Sequence, residues 1–342
     1  MVAITPAFVL ASLAATAFAG RDRPLRLRHE KAARSLHARN SAFTLVQNYT
    51  GSDFLDTSKW SYFTGTDPTN GMVNYLSLKE AKAAGLVKVG SNNQTTISVE
   101  SGNLPSGQNR KSVRISANEK WGKGLIIADF AQMPYGCGVW PAFWTVGANW
   151  PDDGEIDIIE GVNKMANNQL TLHTGSSGTS CTTDTNPGLI NGVPAFLGNV
   201  LGTTCASSDG NNAGCSFSDP DPTSFGPGFN SVGGRVITVV RDDMGIRMWS
   251  WRRSDVPADI LAGKPNPDLW SSATAYWSSV TCNFDEHFAD QTIVLNTDVA
   301  GGWTTSNLPG SGCGTDVNSI VANGSNFENG SWVVNSISVW SL

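Results

Sequence analysis

Residues 154–160 read Gly-Glu-Ile-Asp-Ile-Ile-Glu, which places three carboxylates within six positions of a chain that is only 15% charged. On a β-strand, Glu155 and Asp157 point to one face while the isoleucines between them point to the other. A regular strand would turn Glu160 toward the isoleucine face, where an unpaired carboxylate is costly. One extra residue near Ile158–Ile159, a β-bulge, would return Glu160 to the acidic face. The stretch therefore predicts a bulged strand with three carboxylates on one side.

The spacing of these acids predicts a reaction type. With the bulge, the backbones of Glu155 and Glu160 are about four strand steps, or roughly 13 Å, apart. Side chains that lean inward bring the carboxyl groups to about 5–6 Å, near the separation of retaining glycosidases, whereas inverting enzymes need a wider gap. Asp157 lies between them, where it would share a proton and keep their pKa values apart. An acidic strand edge or a set of calcium ligands is the alternative interpretation.

Aromatic residues cluster around the acidic stretch. The segment Trp140-Pro-Ala-Phe-Trp144 precedes it, and Trp150 lies in the turn between them. Flat aromatic rings stack on the apolar faces of sugars, because both offer polarised C–H or π surfaces. We predict Trp144 and Trp150 as walls of a substrate cleft, and interpret Trp140 and Phe143 as core residues.

Two further residues complete the predicted substrate-binding set. His173 follows Glu160 by thirteen positions, on a segment with the pattern of a neighbouring strand. It would hydrogen-bond a catalytic carboxylate or a sugar hydroxyl, although a buried structural histidine is an equal alternative. Trp303 follows two glycines and is expected to project into the cleft. The other tryptophans that we interpret as packing residues are Trp249, Trp251, Trp332 and Trp340.

The sequence pattern of the rest of the chain predicts β-strands. Short apolar or alternating runs, typical of strands, recur at residues 113–115, 125–130, 236–240, 292–295 and 337–339. A single short stretch, residues 78–86, favours a helix. Residues 175–227 are dense in turn formers and are predicted to be a long loop held by disulfides. Within it, residues 219–222 form a predicted turn, with calcium binding as an alternative. We predict one all-β sandwich.

The N-terminal segment differs from the remainder. Residues 1–19 are apolar and end in Ala17-Phe18-Ala19, which predicts a signal peptide, with an N-terminal anchor as the alternative. Residues 20–40 contain seven basic and two acidic side chains and are interpreted as a pro-peptide or a basic arm. The folded domain is accordingly predicted over residues 41–342.

Composition limits the partners. The net charge of −6 argues against nucleic acid, and no later apolar stretch predicts a membrane span. Six cysteines, an even number without C-x-x-C spacing, predict disulfides rather than zinc, and hence a secreted protein. We expect a soluble monomer without a cofactor, in which structural calcium is the one open possibility. Glycan acceptor sequences occur at Asn48, Asn93, Asn323 and Asn329.

The stretches GCGVWPAFW, NWPDDGEIDIIEGVN and LTLHTG, with the later HFADQTIVLNTDVAGGW, resemble family 16 glycoside hydrolases, especially fungal secreted endo-1,3(4)-β-glucanases of the laminarinase type. The likeness extends from about residue 41 to residue 342. It implies a β-jelly roll of two curved antiparallel sheets with an open substrate cleft, and a β-glucan as substrate. The resemblance also implies Glu155 as nucleophile, Glu160 as acid/base and Asp157 as the assisting carboxylate, with Trp144, Trp150, His173 and Trp303 in the subsites.

Two other functions remain compatible with this pattern. A transglycosylase would use the same residues but pass the glycosyl unit to another sugar instead of water. A noncatalytic glucan-binding lectin could share the fold, although such a protein usually lacks one of the carboxylates.

Overall fold

The computed structural model describes residues 43–208 and 211–342. The predicted signal peptide (1–19) and basic segment (20–40) lie outside the described residues, and so do the first two residues of the predicted domain. None of the helices in the described ranges combines the length and apolar character needed to cross a membrane.

Strands dominate the described chain. They are β1 (Thr44–Tyr49), β2 (Trp60–Tyr62), β3 (Val73–Tyr75), β4 (Val87–Val89), β5 (Thr95–Ser98), β6 (Arg110–Ser112), β7 (Arg114–Trp121), β8 (Gly124–Gln132), β9 (Val139–Val146), β10 (Glu155–Glu160), β11 (Gln169–His173), β12 (Leu189–Ile190), β13 (Val193–Pro194), β14 (Asn199–Gly202), β15 (Cys215–Ser218), β16 (Arg235–Asp242), β17 (Gly245–Arg252), β18 (Ala275–Ser278), β19 (Gln291–Val299) and β20 (Ser331–Ser341).

Helices are short and lie in the connections. The α-helical segments are Leu78–Ala83, Gly226–Ser231, Ala258–Leu261, Phe284–His287, Gly302–Ser306 and Val317–Ala322, and the 3-10 turns are Gly51–Leu55, Arg253–Asp255, Pro267–Leu269 and Gly324–Phe327. The first of these helices begins where the sequence predicts, because Ser77 and Glu80 form a reciprocal capping box at its N-terminus.

The strands form two eight-stranded antiparallel sheets. The site sheet has the order β14-β15-β11-β10-β9-β19-β7-β2, so the acidic strand β10 lies near its centre. The back sheet has the order β18-β17-β16-β8-β20-β5-β4, with β1 also paired to β20. Two small pairs, β12–β13 and the parallel β3–β6, lie outside these sheets.

The two sheets pack face to face over one apolar core. Phe130 of the back sheet contacts Phe143 of the site sheet, with ring centroids 5.1 Å apart, and Phe217 contacts Trp277 across the same layer at 5.0 Å. Ile156 and Ile158 of β10 are buried in this core, as the alternation predicts. The all-β sandwich is confirmed. Four of the five runs that the sequence predicts as strands lie within strands, and the fifth, residues 113–115, begins one residue before β7.

One prediction about the connections needs correction. Residues 175–227 are not a plain loop, because they contain β12 to β15, and β15 pairs with β11 over four residues to extend the site sheet. Their turn-rich composition hides these strands, which are only two to four residues long. In the turn at 219–222, Asp221 accepts hydrogen bonds from Arg235 and Arg252. That carboxylate is therefore neutralised by guanidinium groups.

All six cysteines are paired. The disulfides are Cys137–Cys313, Cys181–Cys282 and Cys205–Cys215. The first two join segments 176 and 101 residues apart, whereas the third closes a short loop beside β11. Each of the four predicted glycan acceptors has an exposed side chain, and their glycosylation stays a prediction.

The bulge in β10 forms where the sequence predicts it. The pairing of β10 with β11 shifts between Asp157 and Glu160, so Ile158 and Ile159 together stand opposite a single residue of β11, Leu170. The side chain of Asn168, 2% exposed, fills the gap. Its Nδ2 donates to the carbonyl of Ile158 at 2.8 Å, and its Oδ1 accepts from the backbone N–H of Glu160 at 2.8 Å. One amide thus satisfies the two backbone groups that the bulge frees.

Replacing Asn168 with alanine is expected to destabilise the fold by about 2–4 kcal/mol, because two buried backbone groups lose their partner. The free energy of unfolding is measured by urea titration. The control is Asn118→Ala, which removes a single exposed bond to Thr57 and is expected to change stability by less than about 0.5 kcal/mol. Equal effects of the two substitutions would show that the bulge does not depend on Asn168.

Candidate active site

The three carboxylates of β10 share the outer face of the site sheet. Residues directly opposite one another on paired strands point to the same face. Glu155 lies opposite His173 of β11, and Asp157 lies opposite Trp144 of β9. Past the bulge, Glu160 pairs with Gln169 and Ala142. The predicted acidic face is therefore present, and β11 is the neighbouring strand that the sequence analysis expected to carry His173.

The entry into β10 depends on Gly154. Its φ of +79° is a left-handed conformation that favours glycine, and a Cβ there would lie 2.4 Å from the ring of Phe288. The preceding turn closes through Gly147 and Asn149, and it carries Trp150, whose surface is 48% exposed. Trp150 thus stands free beside the start of the acidic strand, as a cleft wall would.

Burial changes the ionisation of these acids. Asp157 is 2% exposed, and burial raises its pKa to about 8. Burial also raises the pKa of Glu160 to about 8, assisted by the charge of Asp157 and opposed by a hydrogen bond from Trp140. The pKa of Glu155 is raised well above its ordinary value by burial and, next, by Asp157. Protons are therefore retained in this cluster at neutral pH, as general acid catalysis requires.

His173 lies against the carboxylates in a buried position. Its Nε2 is 3.3 Å from Oδ2 of Asp157 and 4.0 Å from Oε1 of Glu155, and its Nδ1 is 2.9 Å from the hydroxyl of Ser207. Both interpretations of this histidine apply in part, because it is buried and also contacts the acidic cluster. The side chain of His173, 7% exposed, is less accessible to a sugar than that of Trp150, which is 48% exposed.

The same cluster has the dimensions of a cation site. Ligand-capable atoms of Glu155, Asp157 and His173 all lie within 4.8 Å of one another. Burial favours protons on these carboxyl groups, and a proton offers an alternative to a cation for balancing their charge. The expectation that this site works without a metal stays a prediction.

The structure corrects the interpretation of Trp140. The sequence pattern predicts Trp140 as a core residue, but its indole is only partly buried and its Nε1 donates to Oε1 of Glu160 at 2.9 Å. Trp303, on the helix Gly302–Ser306, packs edge-on against the Trp140 ring with centroids 5.4 Å apart. Phe143 is fully buried in the core, as predicted. The tryptophans interpreted as packing residues are likewise buried.

Trp303 is positioned by a network of acids and hydroxyls. Asp298, at the end of β19, accepts a hydrogen bond from the hydroxyl of Thr69 at 2.8 Å. The backbone carbonyl of Thr69 accepts a hydrogen bond from the N–H of Gly302 at 2.9 Å, next to Trp303. Burial, with the nearby charge of Asp67, raises the pKa of Asp298 to about 7. Segments more than two hundred residues apart thus hold the Trp303 turn against the sheet.

Trp144 has two partners that the sequence analysis missed. Its Nε1 donates to Oδ1 of Asn296 on β19 at 2.8 Å, and the guanidinium of Arg114 on β7 lies 5.0 Å from its ring centroid. Both polar residues alternate with core residues of predicted strands, which is a period-two signal for the outer face. That alternation could have identified them, although the sequence does not reveal which strands are neighbours.

Comparison with known proteins agrees with this geometry. A family model described as the XgeA-like catalytic domain of glycoside hydrolase family 16 matches residues 60–340. A protein of Schizosaccharomyces pombe named a probable glycosidase is 36% identical over 318 residues, covering 91% of this chain and 73% of its own. The endo-1,3(4)-β-glucanase xgeA of Emericella nidulans is 34% identical, covering 88% of this chain but 48% of its own. The chain therefore spans about half the length of that glucanase.

Two solved structures share the fold over 88% of this chain and all of theirs. Laminarinase 16A from Phanerochaete chrysosporium, solved with 6-O-glucosyl-laminaritriose in donor and acceptor sites, has a TM-score of 0.80 and 32% identity. A family 16 elongating β-1,3-glucosyltransferase has a TM-score of 0.79 and 32% identity. The predicted family and jelly-roll fold are confirmed. The chain belongs to glycoside hydrolase family 16 and contains an XgeA-like catalytic domain of that family.

Proposed function

We propose that this chain is a retaining endo-β-glucanase that hydrolyses β-1,3-glucan and mixed-linked β-1,3-1,4-glucan by double displacement. The observation that carries the proposal is the outer face of β10, where Glu155, Asp157 and Glu160 stand together beside Trp140. The names of its relatives support the choice of glucan, since they include endo-1,3(4)-β-glucanases and a laminarinase.

Each carboxylate has a distinct proposed role. Glu160 donates its proton to the glycosidic oxygen while a carboxylate oxygen of Glu155 attacks the anomeric carbon, so the C–O bond to the leaving sugar breaks as a glycosyl ester forms. Water then gives a proton to Glu160 and attacks the same carbon, which releases Glu155 and retains the anomeric configuration. Asp157 lies between the two and shares their proton.

The protonation state of Glu160 suits its role as the acid. A raised pKa keeps Glu160 protonated at neutral pH, where it can act as the acid. Once it has given up its proton, the Trp140 N–H stabilises the resulting carboxylate until water is deprotonated. Trp144, Trp150 and Trp303 are the proposed sugar-stacking residues, and His173 supports the carboxylates from the neighbouring strand.

We further propose that the protein is a secreted monomer that needs no cofactor. Three disulfides support an oxidising compartment, and the predicted signal peptide and basic pro-peptide or arm agree with export. The proposed partner is a β-glucan polysaccharide rather than nucleic acid or membrane.

Transglycosylation is a second candidate. The β-1,3-glucosyltransferase that shares the fold at 32% identity favours it, because both reactions use the same glycosyl-enzyme and differ only in the acceptor. Product analysis at high concentrations of a laminari-oligosaccharide separates them. Elongated products in excess of hydrolysis products would support the transferase.

The range of polysaccharides that the protein cleaves tests the proposed function. Incubation with laminarin, lichenan, carboxymethylcellulose and a galactan should release oligosaccharides from the first two and leave the cellulose derivative intact. Reducing-sugar assays and product sizing measure the outcome. Cleavage of the galactan alone would show that the substrate is a galactan and not a glucan. If none of the four polymers is cleaved, the noncatalytic lectin is favoured.

Substitution of Glu155 and Glu160 tests the roles proposed for them. Glu160→Gln should lower kcat by roughly 10²- to 10⁴-fold, the usual contribution of a general acid, and Glu155→Gln should lower it at least as much. In Glu155→Gly, added azide should restore turnover by replacing the missing nucleophile and give the inverted glycosyl azide. Azide acting on Glu160→Gly instead, with the same inversion, would exchange the two roles.

We expect the substitution Glu160→Gln to raise the stability of the folded protein at pH 8. Because the folded-state pKa is raised to about 8, the native protein keeps a proton that the unfolded chain loses above about pH 4.5. Stability of the wild type should therefore fall as pH rises from about 4.5 to 8. Glu160→Gln removes this dependence and should raise Tm at pH 8 by about 2–6 °C, with little change at pH 4. The exposed control Glu328→Gln should match the wild type; a difference for Glu160→Gln that is constant with pH would contradict the prediction.

A further inference from the structure

The loop closed by Cys205–Cys215 lies directly against His173. Its described residue Ser207, 3% exposed, places its hydroxyl 2.9 Å from Nδ1 of the imidazole. The backbone of Ser207, and that of Cys205 before it, are fixed as well. The N–H of Thr174 donates to the carbonyl of Cys205 at 2.9 Å, and the N–H of Ser207 donates to the carbonyl of Thr174 at 2.8 Å. Ser207 therefore cannot move far without breaking bonds next to His173.

The other end of the same loop contacts the imidazole edge. Gly214, adjacent to Cys215, has a φ of +63°, and a Cβ there would lie 2.8 Å from Cε1 of His173. Such an approach is open only to glycine at this position. The loop thus holds the ring at two points, by a hydrogen bond at Nδ1 and by close packing at Cε1.

The opposite edge of the ring faces the acidic cluster. Oδ2 of Asp157 is buried and has no hydrogen-bond partner within the described part of the chain, and Nε2 of His173 stands 3.3 Å from it. A neutral imidazole carries its proton on one nitrogen only. The location of that proton therefore decides whether Asp157 faces a donor or a lone pair.

We propose that the Cys205–Cys215 loop is a positioning element for the active site, in which the Ser207 hydroxyl donates to Nδ1 and so keeps the His173 proton on Nε2, on the edge of the ring that faces Asp157. Ser207 and Gly214 are then positioning residues, which act through His173 and do not touch the substrate. The arrangement follows the general logic of a base held by a third group.

The consequence for the reaction rests on the proposed function. A donor at Nε2 favours the ionised form of Asp157, whose charge raises the pKa of both Glu155 and Glu160. The charged or titratable groups around His173 within the described ranges are Glu155, Asp157 and Glu160 on β10, with Arg114 acting on Glu155 from β7. Among the described residues of the loop, 205–208 and 211–215, the two that contact the ring, Ser207 and Gly214, are uncharged. The loop would thereby set the charge of Asp157 through one hydrogen bond.

The direct test is the tautomer of His173, observed by ¹⁵N NMR of histidine-labelled protein near neutral pH and assigned by the loss of its signals in His173→Gln. The wild type should carry its proton on Nε2. Ser207→Ala should increase the population with the proton on Nδ1, whereas Ser208→Ala, an exposed position in the same loop, should leave the spectrum unchanged. A wild-type ring protonated on Nδ1, or on both nitrogens, would overturn the proposal. This measurement does not depend on any substrate, so it remains decisive if the proposed glucanase activity fails.

Kinetics give the second readout. Ser207→Ala should lower kcat by about 10-fold, the scale of an outer partner of a catalytic group, with KM changed by less than about 2-fold. The basic limb of kcat/KM should also move to lower pH by about 0.5–1 unit, because a less ionised Asp157 no longer raises the pKa of Glu160 as strongly. Near-UV circular dichroism establishes that each variant is folded. An unshifted pH profile, or an equal shift in Ser208→Ala, would contradict the positioning role.

Discussion

The acidic face of the site sheet depends on one buried amide. Asn168 bonds the carbonyl of Ile158 and the N–H of Glu160, and so stabilises a bulge that a regular strand would not tolerate in its centre. Without the extra residue, period-two alternation would direct Glu160 into the apolar core and separate it from Glu155. The relative position of the two glutamates, and with it the chemistry, follows from this contact.

The site exists at a cost in stability that the rest of the sandwich offsets. Three carboxyl groups beside one another on a buried strand are unfavourable when ionised, and burial raises the pKa of each of them. The opposite face of the same strand packs Ile156 and Ile158 into a core shared by both sheets. The unfavourable burial of carboxyl groups on the outer face is thus offset by the burial of apolar side chains on the inner face of the same strand.

Irregular segments supply the residues that support the side chains of the site. The Cys205–Cys215 loop reaches His173, and the Thr69–Asp298 contact fixes the turn that brings Trp303 to Trp140. Both devices tie long connections to a rigid sheet by a few buried hydrogen bonds, which is how loops hold functional groups with precision.

The sequence by itself determined the local features of this protein. The alternation of acids and isoleucines predicted the strand, its two faces and the bulge, because side-chain direction on a strand depends only on neighbouring positions. Cysteine parity predicted complete pairing, and the acidic motif predicted the family. The tertiary structure alone decided which distant residues meet this strand: Asn168 at the bulge, Ser207 at His173, Asn296 and Arg114 at Trp144. It also shows that Trp140, predicted as a core residue, donates a hydrogen bond to Glu160. These contacts depend on strand order and on the paths of long connections, which are set by the packing of the whole chain and leave no periodic signal in the sequence.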